Sequence, residues 1–486
     1  MRIASHRVGT IVLLILSATA LYGCMVGPDY VRPTTPVPAA YKEIDGWKVA
    51  QPGDEGPRGN WWEAFNDADL NDLEAQVDIS NQTIQAAAAA MREARAATQA
   101  ARAALFPVVS ADAAFVRSSR VGSTTNNGAS VGNSNANGVS NSYNVALDAS
   151  WEIDLWGGIR RSIEASDTTA QATAADLANA KLSAQAMLAD DYLLLRVQDA
   201  TIDLLRDTVA AYQRSLTLTS NQYKAGVAGR GDVAQAETQL KSTQAQVFDA
   251  QVTRAQLEHA IAVLIGKPPA DLTIAPKTLV AVFPETPVAV PSTLLERRPD
   301  IAGAERRAAS ANAQIGVAQA AFFPALTLAA TGGFQSSVIG SLLSLPSRYW
   351  SLGPALAQSV FDAGLRSAQK AEAVATYDQN VANYRSTVLS AFQDVEDNLA
   401  ALDLLAKEGA VQDDAVKSAR EAVMIVLNQY KAGTANYLAV VVLQAAELNN
   451  ERTSLSILGR RLTASVGLIK AVGGGWDAAS LVQAKQ

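Results

Sequence analysis

Cysteine and histidine are nearly absent from this sequence. Its 486 residues include one cysteine, Cys24, and two histidines, His6 and His259. A zinc site of the usual kind draws several ligands from these residue types, and a cysteine–histidine nucleophile needs one of each. His259 lies in the helical stretch LEHAIAVLIG and is interpreted as an ordinary helix residue. The protein is therefore not expected to be an enzyme, and no metal or other dissociable cofactor is expected.

An excess of positive charge is also missing. The formal net charge is −7, from 40 lysines and arginines against 47 aspartates and glutamates. A nucleic-acid-binding surface is normally basic, so no nucleic acid partner is expected. The glycine-containing stretch GVAGRG is not a phosphate-binding loop, because it follows a helix rather than a strand and no Lys–Ser/Thr pair comes after it.

The longest purely apolar run near the start, Ile11–Leu16, is too short to span a bilayer. Two arginines precede it and small residues follow, which predicts a signal peptide over residues 1–23. Cys24 then stands where a lipoprotein signal peptidase would cut, and residues 24–60 would form a lipidated arm. Acyl chains on Cys24 would anchor the chain with about 0.8 kcal/mol per buried methylene. The alternative is an ordinary signal peptide with an incidental cysteine.

Proline is absent between Pro107 and Pro268 and again after Pro354. Both stretches are rich in alanine, glutamine, leucine, glutamate and lysine, the composition of long helices. Residues 162–225 also lack glycine, which allows a helix of about 95 Å. Apolar residues recur at three- and four-residue steps, so these helices are predicted to pack as coiled coils. The many alanines suit helices that approach closely, as in the wall of a tube.

The hexapeptide NQYKAG occurs twice, at Asn221–Gly226 and Asn428–Gly433. Its lysine suits the last turn of a helix, where a cation meets the negative end of the helix dipole. Its glycine can adopt the left-handed conformation that closes a helix. A second helical stretch follows each copy, so each is predicted to be the tip of a helical hairpin, near residues 221–232 and 428–437. The alternative is that two unrelated helix ends converged on one solution.

The whole unit around each hexapeptide is repeated. The segment AQAARAALFPVVSADAAF parallels GVAQAAFFPALTLAATGGF, and LWGGIRRSIEAS parallels FDAGLRSAQKAE. The longer first copy contains a Ser/Asn/Gly-rich tract that suits a surface loop. The predicted segments are helices at 61–106, a strand hairpin at 107–156, a helical hairpin at 157–266, a proline-containing segment at 267–299, a helix at 300–322, a strand hairpin at 323–361, a helical hairpin at 362–472 and a C-terminal tail at 473–486.

Apolar and polar residues alternate through YNVALDASWEIDLW, from Tyr143 to Leu155. Such alternation places one strand face in an apolar medium and the other in water, over a length that could span a bilayer. The alternative is a half-buried strand in a soluble sandwich. Four strands cannot close a membrane barrel, and open edges are not tolerated in lipid. Subunits would have to share one barrel, and three copies would supply twelve strands around a passage.

These residues identify a family resemblance that covers nearly the whole mature chain. The motifs CMVGPDYVRP, WWEAFNDADLNDL and LLERRPDIAGAERRAASANAQIGVAQAAFFPALTL, with the two QYKAG tips and LIKAVGGGW, resemble the TolC-like outer membrane factors, in the lipoprotein branch that serves resistance-nodulation-division (RND) efflux pumps. The resemblance implies a mixed α and β fold: a homotrimer with a twelve-stranded transmembrane barrel, a periplasmic α-helical barrel and an equatorial domain. The equatorial domain would include an equatorial segment at 267–299 and an equatorial tail at 473–486. It also implies location in the outer membrane of a Gram-negative cell.

The resemblance further implies a passive exit duct that docks to a periplasmic adaptor joined to an inner-membrane RND-type transporter. The adaptor-facing tip residues would be Tyr223, Lys224, Gly226, Tyr430, Lys431 and Gly433. In the family, aspartates just past the tips help to close the periplasmic aperture. Asp232 occupies such a position, with Arg230 beside it, although Asp232 could equally be a helix-capping acid. In the second repeat Ala439 and Val442 stand where acidic residues are common, which predicts a partly hydrophobic constriction.

Two alternatives remain open at this point. One is an outer membrane duct of type I protein secretion, which the same architecture serves. The other is a lipid-anchored coiled-coil structural protein without a pore.

Overall fold

A computed structural model describes residues 25–43, 60–120, 138–284 and 297–474. The predicted signal peptide, Cys24, most of the Ser/Asn/Gly-rich tract and the end of the predicted equatorial tail lie outside these ranges. The chain divides into two compact units, each assembled from separated stretches of sequence. The first comprises Met1–Pro33, Glu93–Ala170 and Arg306–Val381, and the second comprises Thr34–Arg92, Gln171–Glu305 and Ala382–Gln486.

Helices dominate the described chain. In chain order they are α1 (Ala68–Ser80), α2 (Gln82–Ala103), α3 (Gly158–Lys224), α4 (Arg230–Leu264), α5 (Pro299–Ala320), α6 (Leu365–Lys431) and α7 (Tyr437–Ala471). The long helices α3 and α6 have 67 residues each, about 100 Å at 1.5 Å per residue, and α4 and α7 have 35 each. The equal lengths agree with a duplicated unit. None of the helices described is both long and apolar enough to cross a membrane.

Four strands form one antiparallel sheet in the first unit. They are β1 (Val108–Arg120), β2 (Gly138–Ile153), β3 (Ala325–Ser336) and β4 (Arg348–Ala357), and they lie in the order β1-β2-β3-β4. Each repeat contributes one pair of adjacent strands, and β2 pairs with β3 from Tyr143↔Ser336 to Ile153↔Leu326. The two copies of the repeat therefore join side by side in a single sheet.

Two strand ends differ from the sequence prediction. β2 ends at Ile153, so Asp154 and Leu155 do not continue the alternation. The Asp154 carboxylate instead accepts hydrogen bonds from the backbone N–H groups of Ile159 and Arg160, at 3.2 and 2.9 Å. These donors are among those left free at the start of α3, so the acid caps a helix. β4 likewise ends at Ala357, four residues before the end of the strand hairpin predicted at 323–361.

The core of the second unit combines aliphatic side chains with aromatic ones, including Trp61, Trp62 and Phe65. Leu70, Leu188, Leu195, Ile261 and Val466 are fully buried in its largest cluster. α1 is positioned on this core by the cap of Asp67, whose side chain accepts from the N–H groups of Asp69 and Leu70.

Candidate functional site

One face of the sheet is apolar across all four strands. Directly opposed residues in an antiparallel pair lie on the same face, so the register defines the set. On β2 it contains Val145 and Leu147, which are 40% and 59% exposed in the single chain. The apolar part of this face comprises Val109, Ala111, Ala113 and Phe115 of β1, Tyr143, Val145, Leu147, Ala149, Trp151 and Ile153 of β2, Leu326, Leu328, Ala330, Gly332 and Phe334 of β3, and Trp350, Leu352, Pro354 and Leu356 of β4. It ends at the next position of each strand on the same face, where the residues are polar or charged: Arg117, Asn141, Ser336 and Arg348.

The opposite face is polar and acidic. Asp112, Asp148 and Glu152 lie on it. Ser110 and Thr331 pair with Asp148, and Thr327 pairs with Glu152. The Thr331 hydroxyl donates a hydrogen bond to the Asp148 carboxylate across the β2–β3 pair. Both edges of the sheet are open in the described chain, since β1 pairs only with β2 and β4 only with β3. A sheet with one apolar face, one polar face and two open edges has the features of a segment of a membrane β-barrel wall.

Aromatic side chains stand at two levels of this wall. At one level the Phe115 and Tyr143 rings pack with centroids 4.7 Å apart. At the other, Trp151 donates its indole N–H to the carbonyl of Leu105 at 2.9 Å, and Trp156 stacks on Phe323 at 4.7 Å. The eight steps from Tyr143 to Trp151 cover about 27 Å along the strand. A strand tilt of about 40° reduces this length to about 21 Å of height, near the height of about 25 Å of the apolar band between the aromatic girdles of membrane barrels.

The two hexapeptides close their helices in the same way. In the first, the N–H groups of Gly226 and Val227 donate to the carbonyls of Tyr223 and Gln222, both at 2.9 Å. In the second, Gly433 and Thr434 donate to Tyr430 and Gln429, at 3.0 and 2.9 Å. This pair of bonds is the Schellman motif, and it requires the left-handed φ of +78° at Gly226 and +74° at Gly433. The repeated residues therefore encode two matching hairpin tips, one at the end of α3 and one at the end of α6.

The two tips differ in what they expose. Tyr223 is 45% exposed, whereas Tyr430 is 6% exposed and packs on Tyr437 with ring centroids 5.3 Å apart. The prediction that Tyr430 faces outward is therefore wrong, because its ring fills the space between α6 and the start of α7. Lys224, Gly226, Lys431 and Gly433 are all exposed.

Above the tips, hydroxyl and amide groups join the two helical hairpins. Tyr430 shares a hydrogen bond with the Thr219 hydroxyl at 3.3 Å, and the Tyr212 hydroxyl donates to the carbonyl of Gln444 at 3.1 Å. Burial raises the pKa of Tyr437, packed beside them, to about 12. Burial also raises the pKa of Tyr212 and of Tyr430, so these phenols stay uncharged near neutral pH.

The aperture candidates occupy different helices. The Asp232 carboxylate accepts the N–H of Gly229 at 3.1 Å, as a first-turn acid of α4. This is the capping role weighed against a gating role. Val442 is 57% exposed in the second turn of α7, and Arg230 is exposed at the start of α4. The first turn of α7 is capped by Asn436, whose side chain accepts from the N–H of Ala439 at 3.0 Å.

Sequence reasoning missed a buried ionic cluster in the second unit. Asp199 accepts from Arg196 at 2.9 Å and from Arg254 at 2.6 Å, and all three side chains are at most 14% exposed. The same arginines donate to the carbonyls of Ala275 and Ile274. The cluster therefore fixes part of the predicted equatorial segment onto α3 and α4.

Known proteins share this architecture and sequence. The family described as outer membrane efflux protein matches residues 75–267 and 290–474. The probable efflux pump outer membrane protein TtgC of Pseudomonas putida KT2440 is 31% identical over 469 residues, 96% of each chain. The pyoverdine export outer membrane protein OpmQ of Pseudomonas aeruginosa is 30% identical over 86% of this chain and 87% of its own.

Solved structures of outer-membrane channels have the same fold as this chain. The outer-membrane channel OprN superposes with a TM-score of 0.85 at 30% identity, covering 93% of this chain and all of OprN. The open-state MtrE outer membrane channel of Neisseria gonorrhoeae has a TM-score of 0.78 at 28% identity, covering 94% and 99%. The predicted fold class and the predicted efflux function are confirmed, and family members are channels rather than enzymes. The chain belongs to the outer membrane efflux protein family.

Proposed function

We propose that three copies of this chain share one twelve-stranded barrel and form the lipid-anchored exit duct of a tripartite efflux pump. Cys24 would carry the lipid. The duct would conduct substrates passively, because the energy is spent at the inner membrane. The partners would be a periplasmic adaptor and an RND-type transporter.

The four-stranded sheet carries this proposal. Its apolar face would contact lipid, and the face with Asp112, Asp148 and Glu152 would line the lumen. Lipid cannot satisfy the free N–H and C=O groups along the edges of β1 and β4, so each edge needs a partner strand. One chain has too few strands to close on itself, two copies would give a barrel filled by side chains, and three leave an aqueous passage.

The helical tips would meet the adaptor. Lys224 and Lys431 are exposed at the two tips, and a side-chain carbon placed on Gly226 or Gly433 would touch nothing within 4 Å. The open space around both glycines leaves the turns accessible to another protein. The relatives are named for efflux of toluene or antibiotics and for export of pyoverdine. Such varied cargo on one architecture favours a duct whose substrates are chosen by the pump.

The periplasmic aperture would be closed by apolar side chains of α7. Leu438 and Val442 are 53% and 57% exposed on its first two turns, while Tyr437 and Val440 on the other side are buried. A ring of exposed apolar side chains can close a pore by excluding water. Asp232 is engaged in its cap, so we expect it to contribute to the fold of the tip more than to the closure.

The test combines assembly and conductance. We expect the purified protein to be a trimer by mass photometry, to carry acyl groups on the N-terminal peptide, and to conduct ions in planar bilayers. Deletion of the gene should raise accumulation of dyes and antibiotics in cells, and cross-linking should capture an adaptor with an RND-type transporter. Capture with an ABC exporter would favour protein secretion, and a folded, electrically silent monomer would refute the duct.

A further inference from the structure

Residues 25–29, the first described part of the predicted N-terminal arm and called the arm below, make specific contacts with other residues of the first unit. The backbone N–H of Val26 donates to the carbonyl of Trp156 at 3.0 Å. The side-chain amide of Asn312, on α5, donates to the carbonyl of Pro28 at 2.9 Å. These bonds connect the arm to residues 130 and 284 positions away, so they hold it against the end of the sheet and α5.

Arg161, in the first turn of α3, binds the same stretch. Its guanidinium donates to the carbonyls of Val26 and Gly27, at 3.3 and 3.4 Å, and to the Asp29 carboxylate at 2.7 Å. One further bond, of 2.8 Å, goes to Glu164 on its own helix. The Arg161 side chain is 2% exposed. A buried guanidinium needs such partners, because an unpaired charge away from water is strongly unfavourable. Without the arm, most of these acceptors would be lost.

Two glycine contacts bring the arm close to its site. Gly27 has φ of +99°, and a side-chain carbon there would lie 2.5 Å from the Cα of Gly316. A side-chain carbon on Gly316 would lie 2.8 Å from the Arg161 side chain. The two glycines therefore let the arm, α5 and Arg161 lie in direct contact. A side chain at Gly27 or Gly316 would clash with its neighbour in this arrangement.

We propose that Arg161 is a positioning residue for the lipid anchor: it captures residues 25–29 at the end of the membrane sheet, and an anchor on Cys24 would start from there. This inference rests on the proposed acylation of Cys24, which is bonded directly to Met25. The arm hydrogen-bonds to Trp156, whose ring stacks on Phe323 at the lower aromatic level. Acyl chains attached one residue earlier would enter the bilayer beside the aromatic side chains that mark its boundary. The anchor and the barrel wall would then insert as one body.

Release of the arm can be measured by chymotrypsin cleavage after Tyr30 in purified, lipidated protein. We expect Arg161→Met and Gly27→Ala to increase the cleavage rate about tenfold or more, because proteolysis follows the population of the open form. Asp29→Ala should give a smaller increase, and it is expected to fold because that side chain is 93% exposed. Arg102→Met and Gly340→Ala are matched controls, since Arg102 is 60% exposed and Gly340 lies in open space.

A non-acylated variant, Cys24→Ala placed behind a signal peptide of the ordinary cleaved kind, separates this inference from the proposed function. The arm should remain as resistant to cleavage as in the wild type, because Arg161 rather than the lipid holds it. Arm release in Cys24→Ala, or wild-type resistance in both Gly27→Ala and Asp29→Ala, would overturn the inference. Absence of acyl groups on the wild-type peptide would instead refute the proposed anchor, and the cleavage assay would still report docking.

A positioning role also makes a prediction about insertion. Arg161→Met should lower the yield of heat-resistant trimers in the outer membrane several-fold in the lipidated protein. In the Cys24→Ala background the same substitution should cause no further loss, because no anchor is left to position. Equal fractional losses in both backgrounds would show a purely structural contribution of Arg161 and would exclude positioning.

Discussion

Glu74 is a buried acid whose replacement should stabilise the protein. Its side chain is fully buried in α1, beside Leu70, Leu73 and Val77, and neither carboxylate oxygen has a hydrogen-bond partner among the described residues. Burial, with a smaller contribution from the Asp78 charge, raises its pKa from 4.5 to about 9. The folded chain therefore keeps a proton on Glu74 at pH 7, which the unfolded chain releases.

The sign and size of the expected change in the free energy of unfolding follow from proton linkage. Between pH 4.5 and about 9 the folded state holds one more proton per subunit than the unfolded state, so stability falls as pH rises through this window. The slope is about 1.4 kcal/mol per pH unit. From the unfolded pKa of 4.5 to pH 7 the accumulated loss is about 3 kcal/mol per subunit. Glu74→Met, which keeps an unbranched side chain and removes the acid, should recover this amount at pH 7 and almost none near pH 4.5.

Urea unfolding of detergent-purified protein, followed by far-UV circular dichroism at pH 5, 7 and 8.5, measures the effect. The difference between Glu74→Met and wild type should grow steadily with pH. Glu237→Met, an exposed acid on α4, is the control and should show no such trend. A difference that stays constant across pH, or a destabilised Glu74→Met at pH 8.5, would refute the assignment of a neutral buried acid.

The other predictions concern the tips, the aperture and the ionic cluster. Gly226→Trp and Gly433→Trp should leave trimers inserted but abolish cross-linking to the adaptor; normal drug resistance in both would count against tip docking. Val442→Asp should raise single-channel conductance, whereas Asp232→Ala should leave the conductance unchanged and only remove a helix cap worth about 1 kcal/mol. A higher conductance in Asp232→Ala, with no change in Val442→Asp, would instead support an aperture closed by acidic residues. Asp199→Asn leaves two buried arginines short of a partner and should cost about 3 kcal/mol in urea unfolding, with faster proteolysis near Ala275; an unchanged midpoint would contradict it.

Local patterns predicted most of the fold. The repeated NQYKAG identifies both Schellman turns because the cap depends on one glycine and the helix before it. The alternation of apolar and polar residues predicts β2, because successive side chains of a strand point to opposite faces of the sheet. The end of the alternation was less predictable: Asp154 fits the polar set by position, and only the start of α3 diverts it to capping.

Contacts between distant residues were not predictable in this way. Tyr212 bonds Gln444, 232 positions further along, and Arg161 bonds Asp29, 132 positions earlier. A single arginine or tyrosine in a helical stretch has many possible partners, and no spacing distinguishes them. The ionic cluster left a weak signal, since Arg196 and Asp199 stand three residues apart on α3. That spacing predicts a modest surface pair, and the burial that strengthens it depends on the fold.

Duplication has preserved the turns while changing their surroundings. Both tips keep the same cap, yet Tyr223 is exposed where Tyr430 is buried. The difference lies in the helix that follows: α4 begins with Arg230, Gly231 and Asp232, whereas α7 begins with Tyr437, whose ring covers Tyr430. In the proposed trimer, six tips of matching backbone would therefore alternate between two kinds of surface. An adaptor that docks on all six must recognise either the shared lysine and glycine at each turn or two different sites. Tyr223→Ala separates these possibilities. It would weaken docking only if the adaptor contacts the Tyr223 side chain at the α3 tips.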